Sequence, residues 1–168
     1  MKTLFVLRHA KSSWDNFDLS DFERPLNKRG LKTAPLMGEM MYRKGFQPTL
    51  IISSPAKRAK QTAILIKETA QIRGEIRYDE RIYEASPFQL LEVVSELSEK
   101  AESAMIVGHN PGLEGLVKIL TGRMRTMPTA TLAIIDLNVE KWSEAVADSG
   151  TLQKLIRPRD DLKSHGVS

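Results

Sequence analysis

A short apolar run, Thr3-Leu-Phe-Val-Leu7, ends on Arg8-His9-Ala10, and the same arrangement recurs twice along the chain. Thr49-Leu-Ile-Ile-Ser-Ser54 leads into Pro55 and then Arg58, and Ser103-Ala-Met-Ile-Val-Gly108 leads into His109-Asn110-Pro111. Short continuous apolar runs bounded by turn residues are the pattern of strands buried on both faces. Each run delivers basic residues just past its end. In an open α/β sheet, ligands bind outside the carboxyl ends of the strands. Two arginines and two histidines gathered there would make a receptor for a dianionic phosphoryl group, with one histidine free to act as nucleophile.

Helical patterns separate the strands. The spacing predicts strands at 3–8, 49–53, 75–78, 103–107, about 131–138 and about 151–156, with helices over about 28–44, 56–70, 87–98 and 111–121. Strands alternating with helices argue for βαβ units and an α/β fold, a three-layer α/β/α sandwich with a mostly parallel central sheet. The 168 residues suit a single domain over 1–168, with a polar tail from about 158 and no repeat or linker that would divide it.

Ser54-Pro55, Ser86-Pro87 (with Gln89 completing a capping box) and Asn110-Pro111 each read as a cap followed by the first helical residue. Ala59, Thr62, Ala63, Ile66 and Ala70 share one face of the second helix, which should pack on the sheet. Arg58 then lies near the positive end of that helix, a setting that suits an anion. Pro35 falls inside the first helical pattern and predicts a bend there, with Leu31, Ala34, Gly38 and Met41 keeping the period. The stretch from His9 to Asn27 has no sustained periodicity. Its Trp14, Phe17 and Phe22 either pin the loop to the body or form a wall beside the site.

The chain has no cysteine, so disulfides, thiolate zinc sites and a thiol nucleophile are excluded. The net charge of +4 is spread along helices and loops among acids, without the aromatic and basic interleaving of nucleic-acid readers. No apolar run is long enough to span a membrane. Met1-Lys2 leads straight into a strand pattern, so the cytoplasm is the expected compartment. The expected partner is a phosphorylated substrate, not a nucleic acid or a membrane, and no oligomeric state is specified.

Leu7-Arg8-His9-Ala10, Ser54-Pro-Ala-Lys-Arg58-Ala-Lys-Gln-Thr62 and Val107-Gly-His-Asn-Pro111 together resemble the histidine phosphatase superfamily, which includes the cofactor-dependent phosphoglycerate mutases. Within it the chain is most similar to the short SixA-type phosphohistidine phosphatases, a likeness that Arg24-Pro25-Leu26-Asn27-x-x-Gly30 strengthens. It covers nearly the whole chain up to about Leu137. Ala10 stands where the superfamily motif has glycine, and the added methyl should alter the turn slightly without disabling the site.

The resemblance implies a phosphoglycerate mutase-like fold and a phosphatase that needs no metal and no cofactor. His9 would attack phosphorus to form a phosphohistidine intermediate, which water then hydrolyses. Arg8 and Arg58 would bind non-bridging oxygens, and His109 would donate a further hydrogen bond. Glu84, just before a helix start, is the candidate acid for the leaving group, with Asp15 and Asp21 as substitutes. Lys11 and Ser12 follow the nucleophile, and Glu114 reads equally as a charge favourable to a helix start. A cation held by His9, His109 and Glu84 is disfavoured because the adjacent arginines would repel it. The expected substrate is phosphohistidine in proteins. The alternatives are a small-molecule phosphomonoesterase or mutase of the same superfamily, or a phosphate-recognition module without turnover.

Overall fold

The computed structural model describes residues 1–159. The polar tail expected from about 158 therefore lies almost wholly outside the described residues, His165 included. Six strands, β1 (Lys2–Arg8), β2 (Ile51–Ser53), β3 (Ile76–Tyr78), β4 (Ser103–Gly108), β5 (Leu132–Leu137) and β6 (Gly150–Ile156), form one sheet in the order β3-β2-β4-β1-β5-β6. Strands β3, β2, β4 and β1 are mutually parallel, whereas β5 pairs antiparallel with both β1 and β6. The sheet is thus mixed, parallel on the side that carries the motifs.

Successive residues of β1 point to opposite faces, and the core divides accordingly. Leu4 and Val6 pack with one buried cluster that includes Leu90, Val93, Leu113 and Leu116, under α3 (Pro87–Ser95) and α4 (Gly112–Thr121). Phe5 and Leu7 pack with the other, which includes Ala34, Met37, Ala59 and Ile66, under α1 (Lys28–Lys44) and α2 (Lys57–Ala70). The helix that leaves β1 and the helix that leaves β4 therefore lie on opposite faces. Adjacent parallel strands whose connections depart to opposite faces open a crevice at their carboxyl ends. Arg8-His9 and His109 sit at the lips of that crevice.

Local details correct three sequence readings. The second helix starts at Lys57, not at Pro55; Ser54 Oγ still accepts from Ala56 N at 3.2 Å, but Ser54 stands two residues before the cap, Ala56. The fourth helix starts at Gly112 after a cis Asn110–Pro111 peptide, and Asn110 Oδ1 accepts from Glu114 N. Leu31 is exposed; the buried stripe of α1 runs instead through Gly30, Ala34, Met37, Gly38, Met40 and Met41, and the helix continues across Pro35. The Ser86 capping box with Gln89 forms as its sequence indicates.

Candidate active site

Parallel pairing sets the site. Arg8 lies opposite Gly108, and Val107 lies opposite both Leu7 and Ser53. The residues one step beyond these pairs, His9, His109 and Ser54, therefore form a row across three neighbouring strand ends. The ladder extends into that row, with His9 N donating to Gly108 O at 3.1 Å and Ser54 N donating to Val107 O at 2.9 Å. A cavity of about 280 Å³ opens over it, walled by Arg8, His9, Arg58, His109, Asn110 and Arg24, with Lys11, Ser12, Trp14 and Thr129 around its sides. Four of the five predicted site residues, Arg8, His9, Arg58 and His109, line this one cavity.

His9 is buried, and its Nδ1 lies 2.7 Å from the carbonyl oxygen of Ala10. A carbonyl only accepts, so Nδ1 carries the hydrogen and Nε2 holds the free lone pair. Burial pushes the His9 pKa down to about 3; the Ala10 hydrogen bond opposes this, while His109, Arg58 and Arg8 lower it further. His9 is consequently neutral near pH 7, the state a nitrogen nucleophile requires. Ala10 N donates to Thr62 Oγ1 at 3.0 Å, and Thr62 Oγ1 donates to Arg58 O at 2.7 Å. Thr62 thereby ties the nucleophile's turn to the helix that carries Arg58. Ala10 is fully buried and absent from the residues with positive φ, so this turn has no conformational need for glycine.

His109 Nε2 lies 2.8 Å from Ser54 Oγ, and its Nδ1 is buried without a protein partner. Its pKa is pushed down to about 4, first by burial and then by Arg58, against the raising effect of Asp21. The two imidazoles face each other with centroids 5.0 Å apart. Arg8 donates from Nη1 to Met127 O at 3.1 Å, while its Nε is buried and unpartnered. Burial lowers the Arg8 pKa, with Glu114 opposing. Unpaired buried donors cost about 1–3 kcal/mol each, and an anionic oxygen in the cavity would relieve that cost.

The structure gives Asp21, Tyr83 and Glu114 roles that the sequence reading did not assign them. The carboxylate of Asp21 accepts from Arg58 Nη2 at 3.0 Å, from Arg24 Nη1 at 2.8 Å and from Tyr83 Oη at 2.7 Å. Its pKa falls to about 2: partial burial raises it, but the hydrogen bonds from Tyr83, Arg58 and Arg24 prevail. Asp21 is thus an ionised clamp partner and unsuited to donating a proton near neutral pH. Tyr83 is held up to about 12 by burial and by Asp21, and its ring meets both His109 and Phe22 edge-on. Glu114, read as a helix-start charge, accepts from Asn110 Nδ2 at 2.9 Å and from Met127 N at 2.7 Å. It therefore holds Met127, the residue whose carbonyl accepts from Arg8. In sequence Asp21 stands out only as a substitute acid on the 9–27 loop and Arg24 only as part of a motif; nothing local marks Met127.

Glu84 does not line the cavity over His9. It is exposed, at φ 54°, in an adjoining cavity of about 440 Å³ that shares His109 and Asn110 as walls. Close helix packing puts it there: a Cβ on Gly112 would stand 2.6 Å from Ala85 O, so only glycine lets the start of α4 approach the 84–86 segment. Asp15 is exposed on the loop, and Lys11 and Ser12 reach the cavity wall.

The family model for the histidine phosphatase superfamily (branch 1) matches residues 4–115. An uncharacterized chloroplastic protein of Arabidopsis thaliana is 31% identical over 176 residues, covering 96% of this chain and 80% of that protein. A structure from Agrobacterium tumefaciens, described as a candidate phosphohistidine phosphatase SixA, superposes with a TM-score of 0.81 at 26% identity over 94% of this chain and 98% of its own. A protein histidine phosphatase SixA complexed with tungstate shares the fold, with a TM-score of 0.82 at 21% identity over 94% and 98% of the two chains.

Proposed function

This chain belongs to the histidine phosphatase superfamily, branch 1, and on that footing we propose that it is a metal-independent phosphatase with His9 as nucleophile, acting on phosphohistidine in proteins. The observation that carries the reading is the state of His9: neutral, with Nδ1 engaged by Ala10 O and Nε2 free, beside two arginines. Phosphoryl transfer asks a protein mainly for positioning and for charge stabilisation. Arg8, Arg58 and His109 supply that charge as cations and N–H donors. Among the described residues, no group of three or more His, Asp or Glu side chains gathers that could hold a metal ion.

In the proposed cycle, His9 Nε2 attacks phosphorus as the bond to the leaving group breaks. The phosphoryl oxygens take Arg8 Nε, Arg58 and His109 Nδ1 as donors. An alkoxide leaving group takes its proton from Glu84, whereas imidazole departs from phosphohistidine with less help. Water then attacks the phosphohistidine intermediate and passes its proton to the Glu84 carboxylate. The N–P bond breaks, and His9 and inorganic phosphate are regenerated. The left-handed backbone of Glu84 in a non-glycine residue costs on the order of 1 kcal/mol and is consistent with a side chain held for use. The likeness to SixA proteins favours phosphohistidine over other phosphoryl groups.

The test is a phosphatase assay in chelator across phosphohistidine protein, aryl phosphate and sugar phosphates, with a rapid quench to trap labelled intermediate. Turnover with acid-labile label on His9, absent from a folded His9→Ala variant, is expected. Undiminished turnover in folded His9→Ala would overturn the assignment, and preference for a sugar phosphate would overturn the substrate class.

A further inference from the structure

We propose that the loop from Ser13 to Leu19 is a docking lip for a protein substrate, one whose phosphorylated side chain sits beside an apolar patch rimmed with basic residues. The proposal rests on the phosphatase reading above and adds to it the surface that recognises the phosphoprotein.

Phe17 is 93% exposed and Trp14 is 70% exposed, and Leu19 nearby is exposed as well. Among the described residues no large apolar side chain is more exposed than Phe17. The loop is nevertheless held in place. Ser13 N donates to Pro25 O, Arg24 Nε donates to Ser13 O, Asp15 N donates to Ser13 Oγ, and Asp18 N and Leu19 N both bond to Asn16. Its aromatics are therefore presented by an ordered turn and not left outside by a loose one. Exposed aromatic side chains on a pre-organised loop bind with little entropic cost and are typical anchors of protein interfaces.

The lip is continuous with the catalytic cavity. Trp14 is part of the cavity wall, and the Arg24 guanidinium stacks 3.2 Å from the centre of its ring. A phosphoryl group reaching His9 has Trp14 at its side, and Phe17, three residues on, meets whatever bears that group. A small phosphomonoester would fill the cavity without touching Phe17.

Charge selects the occupant. The exposed run Trp14-Asp-Asn-Phe17-Asp18-Leu19 alternates apolar and acidic residues, with Asp15, Asp18 and nearby Glu23 all exposed. These carboxylates complement a basic rim. They would be repelled by an anionic lipid surface. In a two-fold pairing of this chain the same acids would face one another, which disfavours a second copy.

The test uses the full chain with four probes: a phosphohistidine peptide flanked by Leu, Phe, Lys and Arg, the same peptide flanked by Ser, Gly and Glu, free phosphohistidine, and p-nitrophenyl phosphate. Wild type is expected to prefer the apolar-basic peptide over the acidic one by roughly ten-fold in kcat/KM. Phe17→Ala should remove most of that preference while p-nitrophenyl phosphate turnover stays within about two-fold. Asp15→Asn combined with Asp18→Asn should flatten the salt dependence seen with the same peptide. Equal handling of both peptides by wild type, or equal loss on every probe in Phe17→Ala, would overturn the docking lip. So would a concentration-dependent dimer that Phe17→Ala dissociates, or vesicle binding that it abolishes. If no probe is turned over, the phosphatase reading fails, and binding of the labelled unphosphorylated peptides to wild type and Phe17→Ala still decides the surface.

Discussion

Asp21 and Arg58 pair across the rim of the catalytic cavity. Arg58 donates from Nη1 to the Asp21 carbonyl at 2.7 Å and from Nη2 to its carboxylate at 3.0 Å. The guanidinium proposed to grip phosphate is thus already held by an anion from the loop that follows the nucleophile. The carboxylate is nearly half exposed, so the pair itself adds little to stability. Its consequence is competitive: an incoming dianion must share Arg58 with Asp21 and approach its charge.

Asp21→Asn should therefore bind vanadate more tightly, by roughly five-fold near neutral pH, because it loses the repelling charge while its one amide oxygen, in the place of Oδ2, still accepts from Tyr83 and Arg58. Isothermal titration measures this directly. Weaker vanadate binding in a folded variant would show that Asp21 acts chiefly by orienting Arg58.

The two cavity histidines make stability depend on pH. Their folded pKa values, about 3 for His9 and about 4 for His109, lie below the unfolded value of about 6.5. The unfolded chain therefore binds more protons between these limits, and stability rises with pH there. The contribution is fully present above the unfolded value and is lost as pH falls through the window toward the folded values. At about pH 5 each histidine has forfeited roughly 2 kcal/mol. His109→Asn should shrink the fall in Tm between about pH 7.5 and about pH 5 by roughly 5 °C. An unchanged fall would mean that His109 titrates normally in the folded protein. In the same range, kcat/KM corrected for substrate ionisation should show no acid limb from His9, since it stays neutral.

Glu84 is tested through the leaving group. Glu84→Gln should depress turnover of alkyl phosphates by roughly a hundred-fold or more, and aryl phosphates far less, because a phenoxide departs without a proton. Phosphohistidine should fall between them or near the aryl case. Equal effects on all three, or none, would remove Glu84 from the acid role. Asp21 would not inherit it, being ionised in its present setting.

Gly30 ties the first helix to the nucleophile's loop. A Cβ there would lie 2.2 Å from Lys11 O, two residues past His9, and the obstacle is backbone that cannot rotate aside. Gly30→Ala should cost roughly 1–3 kcal/mol in stability and lower kcat by disturbing the Ala10 carbonyl that orients His9. Chemical denaturation and steady-state kinetics report the two effects. Unchanged values for both would mean that the Lys11 peptide moves freely.

What the sequence by itself determined were elements whose signals are local. Apolar runs ending in Arg8-His9, Ser54 and His109 marked three strands, Ser86 with Gln89 marked a helix start, and the spacing Arg58 to Thr62 put an arginine one turn before the threonine that braces it. These depend on periodicity and capping chemistry within a few residues. Only the tertiary structure decided what depends on pairing between distant segments. The order β2-β4-β1 sets Ser54, His109 and His9 in one row, and β5 runs antiparallel although its sequence looks like any other buried strand. Strand direction and neighbour are set by long-range packing and leave no mark on side-chain alternation. The same holds for Asp21, whose partners Arg58 and Tyr83 lie 37 and 62 residues away, and for the Met127 carbonyl that holds Arg8 from 119 residues away. A carbonyl is identical in every residue, so only the folded backbone shows which one faces a guanidinium. The exposure of Trp14 and Phe17 was also settled there, because a loop aromatic reads the same in sequence whether it packs inward or faces solvent.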